Sequence, residues 1–519
     1  MAQEPKYGES IEVQLVEVDL VVTDRTGRHV TGLTAKDFEV FEGGRRQQIT
    51  NLTEYRGASA RPSSGEQYQG PSVHIAAITP ETKRLPQTLL VLIDALPRQG
   101  RARVMQDLET LVDSVIREGD RVSIVFWSPG YERARTLLNL TTDQDDVRIV
   151  MHALATTESV GSAARALARE TVLRRQFGEK TERTYAGKGL DFTAAAMEEE
   201  GVFSAAEQEL VLFRRKSRAI RRLISALGGT RGRKSLFYVA ADFRTPEDTI
   251  ERMSAVAELE NLTREANAQG VTVYAASPAA MDDPDPTARD ARSATRAPLL
   301  VRQHEMDALR YLTIPTGGSY EVGTTDAVER AGATLTSDVS FYYSLAYHAE
   351  RDGHEHERRL VVRARNGNYR VRKRNSVVQK PYAVQARDML LSAISSEATR
   401  DDLGISVQEG TVVRQSEDRW VLPLVVRIPS ASLQYALVEK ERVAEVRILV
   451  QAGSHLDDAT PLMEDDLRVV AGKNDVGGTI RYSMKVLIDG RGTKISVGVL
   501  DRLSGLMSVA TVDGRRQDQ

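Results

Sequence analysis

A chain of 519 residues is too long for one hydrophobic core, so about three domains are expected. With 41% hydrophobic and 28% charged residues the composition is ordinary for a globular protein, and a net charge of -3 argues against a general nucleic-acid binder. Cysteine is absent, which excludes disulfides, thiolate metal sites and cysteine nucleophiles, and no apolar run approaches the roughly 18 residues that span a bilayer.

The chain opens Met1-Ala2-Gln3-Glu4-Pro5, without a basic start or an apolar signal core. Two readings stand: a complete cytosolic start, or a mature end left by signal cleavage with a methionine added for expression. Residues 11–22 then alternate, with Val13, Leu15, Val18, Leu20 and Val22 apolar among charged neighbours, which predicts a half-buried strand. Asp24 to Gly27 predicts a turn, Phe38 to Phe41 a second strand, and Glu42-Gly43-Gly44 a turn into a third over 48–52. So few strands do not stand alone, and the module over 10–58 needs partners from elsewhere in the chain. The stretch 59–84, rich in Ser, Gly, Gln and Arg, reads as a linker.

Gln87 to Asp94 is a short apolar run that ends on a carboxylate. Such runs predict strands buried on both faces, as in a parallel sheet covered by helices. Ligands of these sheets sit at the carboxyl ends of the strands where strand order reverses, which makes Asp94 the reference point. A helix follows over 101–117, with Val104, Leu108, Leu111, Val112 and Val115 on one stripe, and Gly119-Asp120 stops it. Strands are predicted over 121–127 and 135–140, then a helix capped by Thr142-Asp143 and running to about 154. Residues 162–227 are helical and polar, broken near Gly178 and Gly187 to Gly189, and read as an insertion (about 162–215) leading into a long helix that ends at Gly228-Gly229. A buried strand over 234–240 has Asp242 just past it; a helix to 268, a strand over 271–275, a loop over 278–298, a helix over 304–312, an edge strand over 317–322 and a helix over 325–338 complete the alternation. Alternation of this kind implies a doubly wound sheet over 85–338.

The chain then returns to strands over 341–347, 357–365 and 369–373, which complete the N-terminal module. The halves 10–58 and 339–378 form one β-sandwich with the α/β domain inserted. Pro381 to Ser396 is an amphipathic helix within a link over 379–400, and short strands over 405–407, 411–414, 420–428, 444–451, 479–488, 492–501 and 507–512 predict a C-terminal β-sandwich over 401–515.

Several stretches together resemble the von Willebrand factor A-related proteins common as exported proteins of acidobacteria. They are Val18 to Asp24 with Gly32 to Glu42, Leu90 to Asp94, Gly119 to Val125, Gly232 to Val239, Gly270 to Ala275, Gly317 to Tyr320 and Tyr342 to Tyr347. Each motif is soft, but their order is specific, and it covers about Glu12 to Arg374. The resemblance implies a Rossmann-like fold, no intrinsic catalysis, recognition of a protein or matrix, and export.

The resemblance also implies a divalent ion at the top of the sheet, held by oxygen ligands in the pattern Asp-x-Ser-x-Ser, a Thr from a later loop and an Asp after the fourth strand. Here Asp94 is present, but the serine positions hold Leu96 and Arg98. Asp242 matches the later Asp, and Thr156 or Thr157 supplies the Thr. A degenerate site for Mg or Ca, or one that uses Arg98 in place of the metal's charge, is weighed against helix capping or pairing with arginines by Asp94 and Asp242. Tight Mg binding is not expected, and no cofactor is assigned.

Other clusters point to less. His354-Glu355-His356 has zinc-ligand spacing but sits by a turn without a third ligand. Arg214, Arg215, Lys216, Arg218, Arg221 and Arg222 form a basic helix face that grips an acidic partner or is simply solvated. Gly228 to Gly232 lacks the ending of a phosphate loop, no nucleophile elbow occurs, and Asp457-Asp458 and Asp465-Asp466 read as loop charges.

The sequence therefore predicts an extracellular or periplasmic, non-enzymatic binding or adhesion module for a protein or surface polymer, with Arg98, Arg214, Arg215 and Arg218 as contacts and without nucleic acid or a transmembrane segment. The alternatives are a structural scaffold or self-assembling subunit of an envelope or extracellular complex and, less favoured, a metal-dependent hydrolase.

Overall fold

The computed structural model describes residues 12–57, 59–64, 86–96, 100–128, 134–156, 205–230, 232–241, 243, 245–246, 249–278, 306–351, 356–380, 382–396, 400–416, 419–438, 441–453, 460–471, 478–488 and 493–514. They divide into two compact units, one over 12–224 and 232–379, the other over 225–230 and 380–514. The N-terminal sandwich and the α/β region, separated in the sequence reading, share the first unit.

The first unit begins with β1 (Glu12–Thr23), β2 (Phe38–Glu42), β3 (Arg45–Gln47), β4 (Ile49–Arg56) and β5 (Ser59–Ser64). The α/β region follows as β6 (Thr88–Asp94), α1 (Arg101–Val115), β7 (Arg121–Trp127), β8 (Arg135–Thr141), α2 (Gln144–Thr156), α3 (Ala205–Ala226), β9 (Lys234–Val239), α4 (Thr249–Gln269), β10 (Val271–Pro278), β11 (Tyr320–Thr324) and α5 (Ala327–Ser340). The unit closes with β12 (Phe341–Arg351), β13 (His356–Ala364), β14 (Arg370–Arg372) and β15 (Ser376–Gln379).

Strands from the two ends of this stretch interleave. One sheet has the order β14-β1-β12-β4-β5 and the other β15-β13-β2-β3. In the first, β1 runs antiparallel to β12 with Val16 opposite Tyr347 and Leu20 opposite Tyr343. Val18, Leu20, Val22, Phe38, Val40, Leu52, Leu345 and Leu360 are buried between the layers. Tyr343 and Tyr347 are fully buried there, and each hydroxyl meets a carboxylate: Tyr343 Oη to Glu54 Oε2 at 2.9 Å, Tyr347 Oη to Glu42 Oε2 at 2.7 Å. A buried hydroxyl without a partner costs about 1–3 kcal/mol, so these contacts are what let tyrosine serve as core. The segment 59–64, read from sequence as linker, is a strand: β5 pairs with β4, with Pro62 opposite Thr53. Its composition has no apolar face, and its order comes from the ladder; Pro is tolerated because β5 is an edge.

The α/β sheet has the order β11-β10-β9-β6-β7-β8. All neighbours are parallel except β8, which runs antiparallel to β7 at the edge. Alternate residues of β6 face opposite ways. Leu89, Val91 and Ile93 join the core built with α1, α2 and α5, while Leu90, Leu92 and Asp94 face α3. The strand β6 is buried along its whole length because both faces are covered. Its start is fixed by Asp120: Oδ1 accepts from Gln87 N at 2.8 Å, and Oδ2 accepts from Arg117 N at 2.9 Å and from Gln87 Nε2 at 3.1 Å. Gly119, at φ 84°, makes the turn that delivers this carboxylate.

The second unit holds α6 (Tyr382–Ser396), β16 (Arg400–Asp401), β17 (Ser406–Glu409), β18 (Val413–Ser416), β19 (Arg419–Pro429), β20 (Ala436–Val438), β21 (Glu441–Gly453), β22 (Met463–Ala471), β23 (Thr479–Ile488), β24 (Lys494–Asp501) and β25 (Met507–Asp513). One sheet runs β16-β25-β24-β21-β20, with β22 also on β21; the other places β17, β18 and β23 on β19. Leu422, Leu424, Val426, Ile448, Val450, Val497 and Val499 fill the space between the sheets. On the outer face, Leu390 and Ala393 of α6 pack against Leu449, Met507 and Val509. A Cβ on Gly498 would lie 2.8 Å from Met507 Cε and 3.0 Å from Leu390 Cδ1, so the glycine leaves room for the ends of these two side chains. Asp465-Asp466, read from sequence as loop charges, stands on β22.

Gly318 gives the sharpest test of how the first unit is packed. An added Cβ would lie 1.8 Å from the Val273 carbonyl oxygen, a backbone atom that cannot step aside. A Cβ on Gly367, by contrast, would have nothing within 4 Å. Gly318→Ala is expected to cost about 3 kcal/mol by urea denaturation, whereas Gly367→Ala should stay within about 0.5 kcal/mol.

Candidate functional site

The strand β6 lies at the centre of its sheet, between β7 and β9, where the chain order reverses. In such sheets the crevice at this point is where ligands approach. Asp94, the last residue of β6, stands in register with Trp127, the last of β7; Tyr238 stands in register with Leu92. Parallel register puts all these side chains on the face that α3 covers. Asp94 is 1% exposed, and an isolated carboxylate that deep costs several kcal/mol unless it is paired.

The helix α3 supplies the partner. Its buried stripe is Phe213, Lys216, Ser217, Ile220 and Ile224, while Arg214, Arg218 and Arg221 face solvent. Lys216 Nζ lies 2.8 Å from Asp94 Oδ2 and donates to the Ala241 carbonyl at 2.9 Å. Asp94 Oδ2 also accepts from the Tyr238 hydroxyl at 2.9 Å and from Ala241 N at 2.9 Å. The ammonium stands 4.5 Å from the Trp127 ring centroid and 5.8 Å from that of Phe243, which stacks on Phe213. Lys216 thus has a carboxylate, a carbonyl and an indole face around its charge, a fully desolvated cation site.

The compensation is one-sided. Burial pushes the Asp94 carboxyl above its usual range, and Lys216, Ala241 N and the Tyr238 hydroxyl act in the opposite direction. Asp94 Oδ1 and Trp127 Nε1 are buried without a hydrogen-bond partner among the described residues. Among the described residues, every hydrogen bond to the carboxylate enters through Oδ2.

The described residues do not favour a divalent ion here: the Lys216 ammonium, 2.8 Å from Asp94 Oδ2, repels a second cation at the same carboxylate, although Oδ1 is left unengaged. Leu96, at a position where the ion pattern has a hydroxyl, is a buried apolar residue. Thr156 ends α2, is exposed, and donates its hydroxyl to the His152 carbonyl at 2.9 Å. Among the described residues no cluster of three His, Cys, Asp or Glu side chains is placed to hold a metal. Asp242, Arg98 and Thr157 lie outside the described residues, as does the insertion up to 204.

The remaining sequence candidates separate. Arg214 is exposed and 3.8 Å from Glu258. Arg218 is exposed and donates to the Arg214 carbonyl at 3.3 Å, while Arg215 is half-buried. Lys216, grouped by sequence with these as one basic face, points the other way. The signal was present: Phe213, Lys216, Ile220 and Ile224 recur at helical spacing, which places the lysine on the apolar stripe. Sequence reading did not single out Tyr238 or Trp127. His356 is an exposed strand residue and His354 lies outside the described residues.

The pair has a measurable signature. Lys216→Met leaves Asp94 buried without a counter-ion and is expected to cost about 3–5 kcal/mol. Asp94→Leu together with Lys216→Met should recover at least half of that loss in a denaturation cycle, because neither charge is then stranded. Additive losses from the two single changes would contradict the coupling.

No family model matches the chain, and no curated protein matches it. Among solved structures, the human COPII-coat protein Sec24c matches with 13% sequence identity, covering 59% of this chain and 46% of that chain, at a TM-score of 0.23. The chain therefore spans less than half the length of that protein, and a likeness at this score carries no argument about fold or activity.

Proposed function

We propose that the α/β region is a von Willebrand factor A-type domain whose ion site is replaced by an internal ammonium, and that the chain is an exported, non-enzymatic binding module. The carrying observation is the Asp94–Lys216 pair at 2.8 Å. The carboxylate that would bridge an ion to an acidic ligand is committed to the protein's own lysine. Recognition then falls to side chains, and α3 offers them: the helix that buries Lys216 presents Arg214, Arg218 and Arg221 outward. Three arginines at positions i, i+4 and i+7 make a stripe that fits an acidic protein segment or an anionic surface polymer.

Catalysis is less well supported. A serine–histidine contact exists, His29 Nε2 to Ser337 Oγ at 2.7 Å, but His29 Nδ1 is buried with no partner among the described residues. A base needs that second nitrogen held by an orienting group. Burial also keeps the His29 imidazole below its usual range. Among the described residues no helix is long and apolar enough to cross a membrane.

The binding reading is tested with labelled poly-glutamate as the acidic probe, by fluorescence anisotropy at low and at about 0.5 M salt. Binding should persist in EDTA, weaken with salt, and fall at least about tenfold in Arg214→Glu/Arg218→Glu. No binding, or binding abolished by EDTA, would overturn it.

A further inference from the structure

The second unit carries an open sheet edge. The strand β22 pairs with β21 on one side, and among the described residues no strand pairs with its other side. It is nine residues long, Met463–Ala471, without proline or glycine. Glu464, Asp466, Arg468 and Val470 face outward and are exposed, while Leu467 and Val469 are half-buried against the sandwich core. Natural sheets usually blunt an edge like this by shortening it, bending it or adding charge of one sign. Here the charges are of both signs, and their spacing has a two-fold sense.

We infer that β22 pairs antiparallel with β22 of a second copy of this chain, with Leu467 on the two-fold axis. In that register Asp466 of each copy stands opposite Arg468 of the other. Within one copy the register already places Arg447 opposite Asp466 and Glu445 opposite Arg468. Arg447 grips Asp466 with Nε to Oδ1 at 2.7 Å and Nη2 to Oδ2 at 2.9 Å. Joining two copies therefore extends each row across four strands as Arg447, Asp466, then Arg468 and Glu445 of the second copy. The signs alternate along the whole row, and the same row repeats through the two-fold. Cross-strand pairs of opposite charge stabilise a sheet, and like charges destabilise it.

The charges also select this register. Because side chains alternate faces, slips that keep the outward face outward move by two residues. Centring the pair on Arg468 sets Arg468 against itself, and centring it on Asp466 sets Asp466 against itself. Centring it on Asp465 sets Glu464 against Asp466, and centring it on Val469 leaves Arg468 against Val470, so the register centred on Leu467 is the one that sets Asp466 against Arg468 without a like-charge pair. An isologous contact of this kind closes on itself, so it gives a dimer rather than a fibre. The inference concerns the second unit and stands independently of the ion-site and arginine-stripe readings.

The test uses the full chain. Sedimentation equilibrium up to about 100 µM, which detects association down to a free energy of about −5.5 kcal/mol, should give a reversible dimer. Arg468→Glu, at an exposed position, should weaken association at least about tenfold while circular dichroism stays unchanged. Because the chain has no cysteine, Leu467→Cys adds a single thiol, and in this register it faces itself. Mild oxidation should cross-link it, whereas Val470→Cys, facing Glu464 of the second copy, should not cross-link. A wild type that stays monomeric overturns the inference and leaves the edge to a strand from another protein. A dimer indifferent to Arg468→Glu, or one in which Leu467→Cys fails to cross-link, overturns it equally.

Discussion

A buried carboxylate has to be answered by a charge, and in this protein the answer is built into the fold. Asp94 ends the central strand of a parallel sheet where the strand order reverses, a place that in many proteins is given to a ligand. Here Lys216 reaches it from α3, and the ammonium is braced by the Ala241 carbonyl and the Trp127 ring. The pair fixes the angular setting of α3, because no other rotation of the helix brings Lys216 inward while keeping Phe213, Ile220 and Ile224 in the core. The same rotation aims Arg214, Arg218 and Arg221 at solvent. One ion pair thus sets both the partner of Asp94 and the face that α3 turns to solvent.

A buried ion pair is weak evidence for stability as such, since desolvation offsets much of the attraction. Its value here is specificity of arrangement. Asp94 Oδ1 and Trp127 Nε1 lack partners among the described residues, so the site is only half compensated. An apolar replacement of both charges should be tolerated far better than the loss of either.

Much of the architecture was legible in the sequence, for physical reasons. Strands covered on both faces read as continuous apolar runs, and β6, β7 and β9 stand where those runs lie. Gly119-Asp120 was read as a helix stop and also serves as the bracket that holds the start of β6. Edges were harder. The strand β5 has no apolar face and owes its order to its neighbour, while β15 is short and β22 carries charges among its apolar residues. At the candidate site, Asp94 was found because a carboxylate at the end of an apolar run is conspicuous. Lys216 was missed because it sits among arginines, and a basic run suggests a solvated face unless each residue is placed on the helix separately. Thr156 was proposed because the resemblance calls for a Thr from a later loop, and its hydroxyl is turned back onto its own helix.

The central claim is that Lys216 is the resident cation at Asp94. Its most direct test is thermal unfolding of wild type and Asp94→Ala with and without millimolar Mg, Mn and Ca, since a ligand of the native state must raise the apparent stability. The account predicts no ion-dependent rise in Tm for either protein. A rise in wild type that disappears in Asp94→Ala would contradict it and would return the top of the sheet to a metal.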